Sequence, residues 1–371
     1  MTQEKKLQIY QALEEKILRL NPELGVSFPN ITENKKYQKD DASFWTKGFW
    51  PGMLWHLYQC NKKEELADTA RAIEERLDEI LHEFYTIHHD AGFVWSLSAV
   101  ADYKLTGNEE SKRRGLIAAS HLAGRFNVKG NFIRAWNARQ GKDNEGWAII
   151  DCTMNLPLLY WASKETGDPR FRHIANAHAD TVVNEFSKAD GSTYHIVCFD
   201  PETGVRVGQK AGQGAFEESA WSRGQAWIIY GMALCYRYTK KAKYLRTAMA
   251  AADFFLKNLP KDGIPYWDFK VEPGKDVPKD TSAAACAACG MLEIASHLQG
   301  KEQEKYQEGA EDLIQALYEQ WWETDPESHG LLGGGTFNCP KGKGIHVSLI
   351  YGDYFFTEAV TRLMGAEISF W

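Results

Sequence analysis

Two acidic residues stand in stretches of sequence that are otherwise apolar. Asp90 follows His88 and His89 and precedes the run AGFVWS, and Asp151 lies between WAII and CTMNLPLLYW. A carboxylate in such surroundings costs free energy unless it is hydrogen-bonded or used in a reaction. If the two carboxylates share a pocket, each raises the proton affinity of the other, and they can divide general acid and base roles. Asp90 and Asp151 are therefore candidate catalytic residues, with a role as helix caps as the alternative.

Other side chains could bind a ligand at the same pocket. Arg223 offers a planar fork to a substrate carboxylate, or it pairs with Glu217 or Glu218. His195 and Gln213 lie on long inserts, where a histidine is commonly a solvated surface residue. Trp45, His89 and Trp227 lie near the starts of the apolar stretches described next.

One pattern recurs six times along the chain. An apolar, aromatic or alanine-rich stretch with helical spacing is followed by a short turn and a more polar amphipathic helix. The turns TGN and TGDP carry the Gly, Asn and Pro that end one helix and start the next. The apolar stretches are GFWPGMLWHLYQ (48–59), GFVWSLSAVADYKL (92–105), IIDCTMNLPLLYWASKE (149–165), SRGQAWIIYGMALCYRYT (222–239), TSAAACAACGMLEIASHL (281–298) and GDYFFTEAVTRLMG (352–365).

The amphipathic helices complete six pairs. Five are predicted at 63–82, 109–126, 169–187, 241–258 and 302–322, and the N-terminal helix EKKLQIYQALEEKILRL supplies the sixth. A helix that is apolar almost all round is buried, whereas a helix with one apolar stripe faces solvent. The sequence therefore predicts an all-α fold, an (α/α)6 barrel of six inner and six outer helices, as one domain over 1–371. An open solenoid is the alternative, but it would need polar capping repeats at both ends.

The barrel predicts where the polar side chains meet. Its inner helices all run in the same direction, so the residues just before them gather at one end of the barrel, which we call the mouth. Asp90 and Asp151 are among these residues. Asp280 and Asp353 also fall there and are interpreted as helix caps or first-turn acids. The inserts 190–221 and 259–280 and the segment GGGTF (333–337) are expected to be loops, and STYHIVCFD (192–200) a short hairpin strand.

Composition argues against several classes of function. The formal net charge of -7 disfavours binding to nucleic acid or to a membrane surface. The first residues lack a signal peptide and no long apolar run follows, which predicts a soluble, cytoplasmic protein. Cys286 and Cys289 form a C-x-x-C without a second ligand pair, so no metal is expected there. No motif supports nucleotide binding, a serine nucleophile or zinc chemistry.

The chain resembles the unsaturated glucuronyl hydrolases of glycoside hydrolase family 88 along nearly its full length. That family has an (α/α)6 barrel, so the resemblance implies the same fold that the helix pattern predicts. It also implies that no metal or organic cofactor takes part. The matching segments are WTKGFWPGMLW (45–55), HHDAGFVWSLSA (88–99), IIDCTMNLPLLYWA (149–162), STYH (192–195), WSRGQAW (221–227), DGIPYWDF (262–269) and YGDYFFTEA (351–359).

The resemblance also implies a reaction. Family members remove the 4,5-unsaturated uronic acid that polysaccharide lyases leave at the non-reducing end of glycosaminoglycans or related polymers. Asp151 would protonate C4 and activate the water that adds at C5, and Asp90 would hold ring hydroxyls and keep Asp151 protonated. The substrate contacts implied in the same way are Trp45, His89, His195, Gln213, Arg223 and Trp227.

Three other functions compete with this one. The related hydrolases of unsaturated rhamnogalacturonan share the barrel and the acid chemistry, and a non-catalytic sugar-binding barrel would use the same aromatic and arginine contacts. An epimerase on this barrel would use histidines such as His89 and His195 as bases. Lys341 and Lys343, in NCPKGKGIHVS, either bind sulfate groups of the sugar or belong to a solvated loop. No oligomeric state is predicted.

Overall fold

The computed structural model describes residues 1–39, 45–137 and 143–371, and it confirms the (α/α)6 barrel. Inner and outer helices alternate along the chain and pack in neighbouring pairs. The helices are α1 (Gln3–Leu24), α2 (Phe49–Asn61), α3 (Glu64–Arg76), α4 (Asp78–Leu81), α5 (Ala91–Trp95), α6 (Ala99–Thr106), α7 (Glu109–Ala123), α8 (Leu156–Thr166), α9 (Pro169–Thr181), α10 (Ser222–Thr239), α11 (Ala242–Lys257), α12 (Thr281–Ala295), α13 (Gly300–Trp321) and α14 (Ile350–Leu363).

The difference in polarity within each pair determines which helix lies inside. Helix α12 is built from small and apolar residues, and every residue from Thr281 to Ala295 is buried. Its partner α13 buries a single stripe that includes Tyr306, Ala310 and Leu317, at the spacing of one helix face. The inner wall consists of α2, α5 with α6, α8, α10, α12 and α14, and the outer ring of α3, α7, α9, α11, α13 and α1.

The N-terminal helix closes the ring, as predicted. Helix α1 packs against α14 and buries one stripe that includes Ile9, Leu13 and Ile17. Lys6 Nζ donates to Glu311 on α13 over 2.7 Å, which ties α1 to the preceding outer helix. None of the described helices combines the length and the apolar character needed to cross a membrane.

Two inner helices are less regular than the sequence predicts. The second is interrupted between α5 and α6, where the Ser98 hydroxyl donates to the carbonyl of Val94 over 2.7 Å. Serine hydroxyls bonded in this way to the carbonyl four residues earlier often bend helices. The third begins as a tight 3₁₀ turn, Ile150–Asn155, in which the Thr153 hydroxyl donates to the Ile150 carbonyl over 2.8 Å. Both irregularities lie at the mouth.

The 3₁₀ turn fits closely against helix α10. A Cβ atom on Gly231 would lie 2.4 Å from Cβ of Thr153, so only glycine allows this approach. The Thr153 hydroxyl also donates to the carbonyl of Trp227 over 3.0 Å. Helix α10 therefore fixes the position of the turn that carries Asp151.

Short antiparallel strands form small sheets in the segments that connect the helices. The expected strand in 192–200 is confirmed at its second half, where it forms the middle of a three-stranded sheet. The expectation of a loop at 333–337 is wrong in part, because Gly335 onward pairs with a later strand as a hairpin. The strands are β1 (Pro29–Glu33), β2 (Lys36–Lys39), β3 (Phe126–Asn127), β4 (Phe132–Ile133), β5 (Trp147–Ile149), β6 (Ile196–Phe199), β7 (Arg206–Lys210), β8 (Gly335–Asn338) and β9 (Lys343–Val347).

Candidate active site

The starts of the inner helices meet in a ring. The Trp45 ring, before α2, lies 5.0 Å from that of Tyr351 at the start of α14 and 5.5 Å from that of Phe93 on α5. The main-chain N–H of Phe93 donates to Oδ1 of Asn155, just before α8, over 2.8 Å. Arg223 on α10 pairs with Asp280 before α12 and lies over the Tyr351 ring at 5.2 Å. These contacts close the circle, as the barrel geometry requires.

Asp90 sits at the N-terminus of α5, but its carboxylate is not a helix cap. It contacts the two preceding histidines instead: Oδ2 lies 2.8 Å from Nδ1 of His88 and Oδ1 lies 3.1 Å from Nε2 of His89. Burial by itself raises the pKa of Asp90, but His89, His88 and Arg125 outweigh this effect and hold the pKa below its usual value. Asp90 is therefore favoured as a carboxylate.

His89 links the two candidate acids. Its Nδ1 lies 2.7 Å from the carbonyl oxygen of Ala135, so this nitrogen carries the hydrogen and donates it. Burial lowers the pKa of His89, while the charges of both Asp90 and Asp151 act to raise it. Both carboxylates are thus close enough to influence one imidazole, which fulfils the expectation that they share a mouth.

Asp151 faces His195 across a short gap. Its Oδ1 lies 3.6 Å from Nε2 of His195, and neither atom has a hydrogen-bond partner among the described residues. His195 lies just before β6, and its carbonyl accepts from the main-chain N–H of Ile150 over 3.0 Å. The sheet thus holds the histidine against the 3₁₀ turn that carries Asp151.

Two backbone groups contact Nδ1 of His195: the main-chain N–H of Gln213 at 2.8 Å and the carbonyl oxygen of Ala211 at 3.1 Å. The shorter contact favours the tautomer in which Nδ1 accepts a hydrogen bond from Gln213. The ring hydrogen of neutral His195 is then on Nε2, the atom that faces Asp151. Gly212 makes this approach possible: its φ is +60°, and a Cβ there would lie 2.2 Å from Nδ1. His195 therefore presents a hydrogen-bond donor to the site.

Arg223 is fully engaged at both terminal nitrogens. Nη1 donates to Asp280 and, over 2.8 Å, to the carbonyl of Thr336, while Nη2 donates to Oε1 of Gln213 over 3.0 Å and to the carbonyl of Phe337 over 2.8 Å. The predicted alternative, a pair with Glu217 or Glu218, is wrong. Both glutamates lie in the exposed part of the insert, whereas the guanidinium is buried at the start of α10.

The contact with Arg223 orients Gln213. Because Oε1 of Gln213 accepts from Nη2 of Arg223, its amide NH₂ points away from the guanidinium and is the group that a ligand could meet. A direct contact between Arg223 and a substrate carboxylate stays a prediction, since it requires one of these bonds to be exchanged.

The predicted tryptophans differ in their setting. Trp45 is half-buried and lines a small recess together with His88 and Asp90. This recess has a volume of about 10 Å³, room for about one water molecule. Trp227 is completely buried, with its ring 5.2 Å from that of Phe93, and it supports the floor of the mouth. A stacking contact between Trp227 and a sugar stays a prediction.

Sequence reasoning misses two aromatic residues of this site. The Trp221 ring lies 4.3 Å from the His195 ring and under the Arg223 guanidinium at 4.5 Å. The edge of Trp136 meets His89 at 5.7 Å. Trp221 immediately precedes α10, so it could have been predicted from the expectation that residues just before the inner helices gather at the mouth. Trp136 lies after β4, outside any periodic pattern, and nothing in the sequence points to it.

The two remaining mouth acids have structural partners. Asp280 is the N-cap of α12, as predicted, and accepts from the main-chain N–H of Ser282 over 3.2 Å. Asp353 lies in the first turn of α14, also as predicted, but it accepts from the main-chain N–H groups of Leu331 over 2.7 Å and Leu332 over 3.0 Å. Burial raises the pKa of Asp353 to about 7. Both acids hold the walls of the mouth.

The assembled site offers two carboxylates, donors from His195 and Gln213, and aromatic walls. Such a set can bind a polar ring, donate hydrogen bonds to its oxygens and move a proton at a carbon above Asp151. Imidazole and carboxylate groups also suit a metal ion, and His88, His89 and Asp90 place ligand atoms within 4.8 Å of one another. Cys286 and Cys289 lie buried on α12 as free thiols.

Comparison with known proteins gives one consistent family. The chain matches the model of Glycosyl Hydrolase Family 88 over residues 19–363. It is 38% identical over 356 residues to the unsaturated glucuronyl hydrolase of Bacillus sp. (strain GL1), covering 94% of this chain and 93% of that protein. It is 36% identical over 362 residues to the unsaturated chondroitin disaccharide hydrolase of Streptococcus pyogenes serotype M1, covering 96% and 90%. The crystal structure of the Bacillus sp. GL1 unsaturated glucuronyl hydrolase superposes with a TM-score of 0.94 at 37% identity, covering 97% of both chains.

Proposed function

The chain belongs to glycosyl hydrolase family 88 and is a glycosidase, and we propose that it removes a 4,5-unsaturated glucuronic acid from the non-reducing end of lyase-generated glycosaminoglycan oligosaccharides. The names of its relatives support this substrate class, since one acts on unsaturated chondroitin disaccharides and another is an unsaturated glucuronyl hydrolase. Activity on unsaturated disaccharides from chondroitin, hyaluronan and heparin distinguishes which polymer supplies the substrate.

One observation carries the assignment of roles. The Oδ1 atom of Asp151 and the Nε2–H of His195 face each other at 3.6 Å, buried and without other hydrogen-bond partners among the described residues. Buried polar atoms are nearly always hydrogen-bonded, and exceptions call for a functional explanation. A bound sugar or water would satisfy both atoms, so Asp151 is the candidate that handles the proton.

Asp90 suits the complementary role. Its pKa lies below the usual value because His89, His88 and Arg125 surround it, so it is a carboxylate at neutral pH. An ionised carboxylate accepts hydrogen bonds from ring hydroxyls. Asp90 thus binds the ring, and the acid itself is Asp151.

The reaction then follows as hydration of a vinyl ether. Asp151 transfers its proton to C4, and the oxygen of a water molecule bonds to C5 while the water gives a proton back to the Asp151 carboxylate. The product is a hemiketal at C5, whose ring opens to a ketone. The C1 hemiacetal linkage then breaks, and the remaining sugar leaves with a hydroxyl group. One water is consumed, and this sequence of proton transfers uses side chains of the protein and water.

The geometry of His195 argues against the epimerase alternative. A histidine base needs a free lone pair toward its substrate, but the Gln213 N–H occupies the Nδ1 lone pair and leaves Nε2–H facing the site. His89 donates from Nδ1 to Ala135 and directs its Nε2 lone pair at Asp90. The arrangement of His195 is therefore the feature that argues against a pair of histidine bases.

A direct test follows the double bond. The full chain is incubated with unsaturated disaccharides from chondroitin, hyaluronan, heparin and pectin, and the near-ultraviolet absorbance of the C4=C5 bond is recorded. Wild type should remove the absorbance of glucuronyl substrates, and Asp151→Asn should lower the rate by about 10²- to 10⁴-fold. Asp276→Asn, a change at an exposed acid of the insert 259–280, is the matched control.

The panel separates the alternatives. Selective turnover of the pectin disaccharide would move the assignment to unsaturated rhamnogalacturonan, and binding of every sugar without turnover would make the protein a sugar-binding barrel. Full activity of Asp151→Asn would overturn the role given to Asp151.

A further inference from the structure

Three side chains at the mouth converge on a point that a metal ion could occupy. The ligand atoms of His88, His89 and Asp90 all lie within 4.8 Å of one another. The closest approaches are 2.8 Å between Nδ1 of His88 and Oδ2 of Asp90, and 3.1 Å between Nε2 of His89 and Oδ1 of Asp90. Consecutive residues rarely aim their side chains at one point, and here the turn before α5 makes them do so.

His89 is oriented as a metal ligand would be. Histidines that bind metals usually donate the hydrogen of the second ring nitrogen to a carboxylate or a backbone carbonyl, which leaves the first nitrogen free to coordinate. Nδ1 of His89 donates to the carbonyl of Ala135 over 2.7 Å. The remaining nitrogen, Nε2, therefore turns its lone pair toward Asp90. The edge of Trp136 packs against the ring and keeps it in place.

His88 contributes a buried nitrogen to the cluster. Its Nδ1 lies 2.8 Å from Oδ2 of Asp90, close enough for an ion pair but poorly aligned for a hydrogen bond. A buried polar atom in this state is one that an unseen ion or water commonly satisfies. An ion between His88 and Asp90 would do so, because both atoms would point at it.

The chemical types of the three ligand groups determine which metal ion fits best. Two imidazoles and one carboxylate suit Zn²⁺ and Cu²⁺, whereas Mg²⁺ and Ca²⁺ prefer oxygen ligands alone. Zn²⁺ forms tetrahedral bonds of about 2.0–2.2 Å to nitrogen and oxygen, which places its ligand atoms about 3.4 Å apart. Binding must therefore draw the most distant atoms together by up to about 1.4 Å and separate the 2.8 Å pair by about half an ångström. Three protein ligands leave a fourth position for water or substrate.

We propose that His88, His89 and Asp90 form an inhibitory site for a divalent transition-metal ion, with Zn²⁺ as its typical ligand. Binding would engage the carboxylate of Asp90 and so remove it from the sugar ring. The inhibitory consequence rests on the proposed function, in which Asp90 holds the ring, but the binding of the ion does not.

Arg125 limits the affinity of the site. Its guanidinium acts on the charge of Asp90 and donates from Nη1 to the carbonyl of Ile87 over 3.2 Å. A fixed cation on this side repels a second one, so the ion should bind reversibly and be removed by a chelator. This behaviour fits a regulatory or adventitious inhibitor better than a structural ion, which would be held by four protein ligands.

The binding test uses the full chain without substrate. ZnCl₂ is titrated into chelator-treated protein by calorimetry, and wild type is compared with His88→Gln, which keeps a polar side chain but removes the imidazole. Wild type should bind one Zn²⁺ at this site, and His88→Gln should bind it at least about tenfold more weakly. His173→Gln, at an exposed histidine of α9, and Cys60→Ser, at the exposed thiol, are the controls.

Inhibition is then measured with an unsaturated disaccharide, relative to each variant's own metal-free rate. Zn²⁺ should raise the KM of wild type, EDTA should reverse the effect, and His88→Gln should need at least about tenfold more Zn²⁺ for the same effect. Equal Zn²⁺ affinity of wild type and His88→Gln would overturn the site. Binding that depends on His88 without inhibition would keep the metal site and refute the role of Asp90 in the proposed function.

Discussion

The main-chain N–H of Gln213 donates to Nδ1 of His195 over 2.8 Å, and this bond decides which nitrogen of the imidazole faces Asp151. In the tautomer that this bond favours, the hydrogen sits on Nε2, so neutral His195 offers Asp151 a hydrogen-bond donor. The side chain of the same Gln213 accepts from Arg223. One residue of an irregular insert therefore orients two groups of the site.

Gly212→Ala should impair catalysis through His195. The new Cβ would meet Nδ1 at 2.2 Å in a backbone with φ of +60°, so the insert and the imidazole must separate. We expect kcat to fall by about 10- to 100-fold, equal to about 1.4–2.7 kcal/mol of activation free energy, while KM changes less. Steady-state kinetics on an unsaturated disaccharide measure both.

The matched control is Gly300→Ala at the start of α13. Its φ is +62° and no atom lies within 4 Å of the new Cβ, so it imposes the same backbone strain without the contact. Equal kinetic losses in the two variants would mean that strain, and not the position of His195, explains the effect.

Asp280→Ala should destabilise the fold strongly. It leaves the buried guanidinium of Arg223 without its carboxylate, and breaking a buried pair in this way typically costs about 3–5 kcal/mol. Urea denaturation should show this loss, whereas Asp276→Ala at the exposed insert should stay within about 0.5 kcal/mol of wild type. A loss below about 1 kcal/mol for Asp280→Ala would show that the bonds of Arg223 to backbone carbonyls and Gln213 suffice.

Glu74 should make the stability depend on pH. Burial raises its pKa from 4.5 to about 7, although hydrogen bonds with Ser111 and Arg114 oppose the rise. Because the folded pKa is the higher one, the stabilising contribution is complete below pH 4.5 and is lost as the pH rises through 7. At pH 8 the loss amounts to about 3 kcal/mol.

Glu74→Gln removes this titration. The free energy of unfolding of the variant, relative to wild type, should therefore increase between pH 4.5 and pH 8, as measured by urea denaturation across that range. Glu75→Gln changes the adjacent exposed glutamate and should leave the pH dependence as it is in wild type. Parallel curves for wild type and Glu74→Gln would contradict the raised pKa.

Lys341 and Lys343 test the preference for sulfated sugars. Both are exposed on the β8–β9 hairpin, which Arg223 anchors to the site through the carbonyls of Thr336 and Phe337. If the lysines meet a sulfate group, Lys341→Ala and Lys343→Ala should each raise the KM for a sulfated disaccharide by about two- to fivefold, as for an exposed ion pair.

The KM for the unsulfated disaccharide should stay unchanged in both variants. Lys275→Ala, in the exposed insert, controls for the loss of one positive charge. Equal KM values for sulfated sugar in all four proteins would assign the two lysines to a solvated loop.

The barrel was predictable because its signal is repeated. Each inner stretch is apolar around its circumference and each outer one has a single stripe, so the burial of α12 and the one-sided burial of α13 follow from side-chain chemistry alone. The direction of the inner helices then places Asp90 and Asp151 at one mouth. The interruption of the second inner helix between α5 and α6 was not predictable, because the apolar pattern of 92–105 continues across it.

The detailed contacts of the site depend on the inserts, whose apolar residues show no regular spacing from which a structure could be predicted. Nothing in the residues around Arg223 indicates that its partner is Asp280 and not a nearby glutamate, because that choice depends on how two helix starts approach. The tautomer of His195 depends on the conformation of Gly212, and the packing of Trp136 depends on a loop. Such facts are set by tertiary structure.

The close fit of Gly231 against Thr153 bears on how the enzyme could be redesigned. Any side chain larger than glycine at position 231 would push the turn that carries Asp151 away from α10. The contact between Gly231 and Thr153 therefore sets how deep Asp151 lies in the barrel. Efforts to broaden the range of accepted sugars should therefore leave the inner wall unchanged and vary the hairpin and the inserts, which border the entrance but do not set the height of the acid.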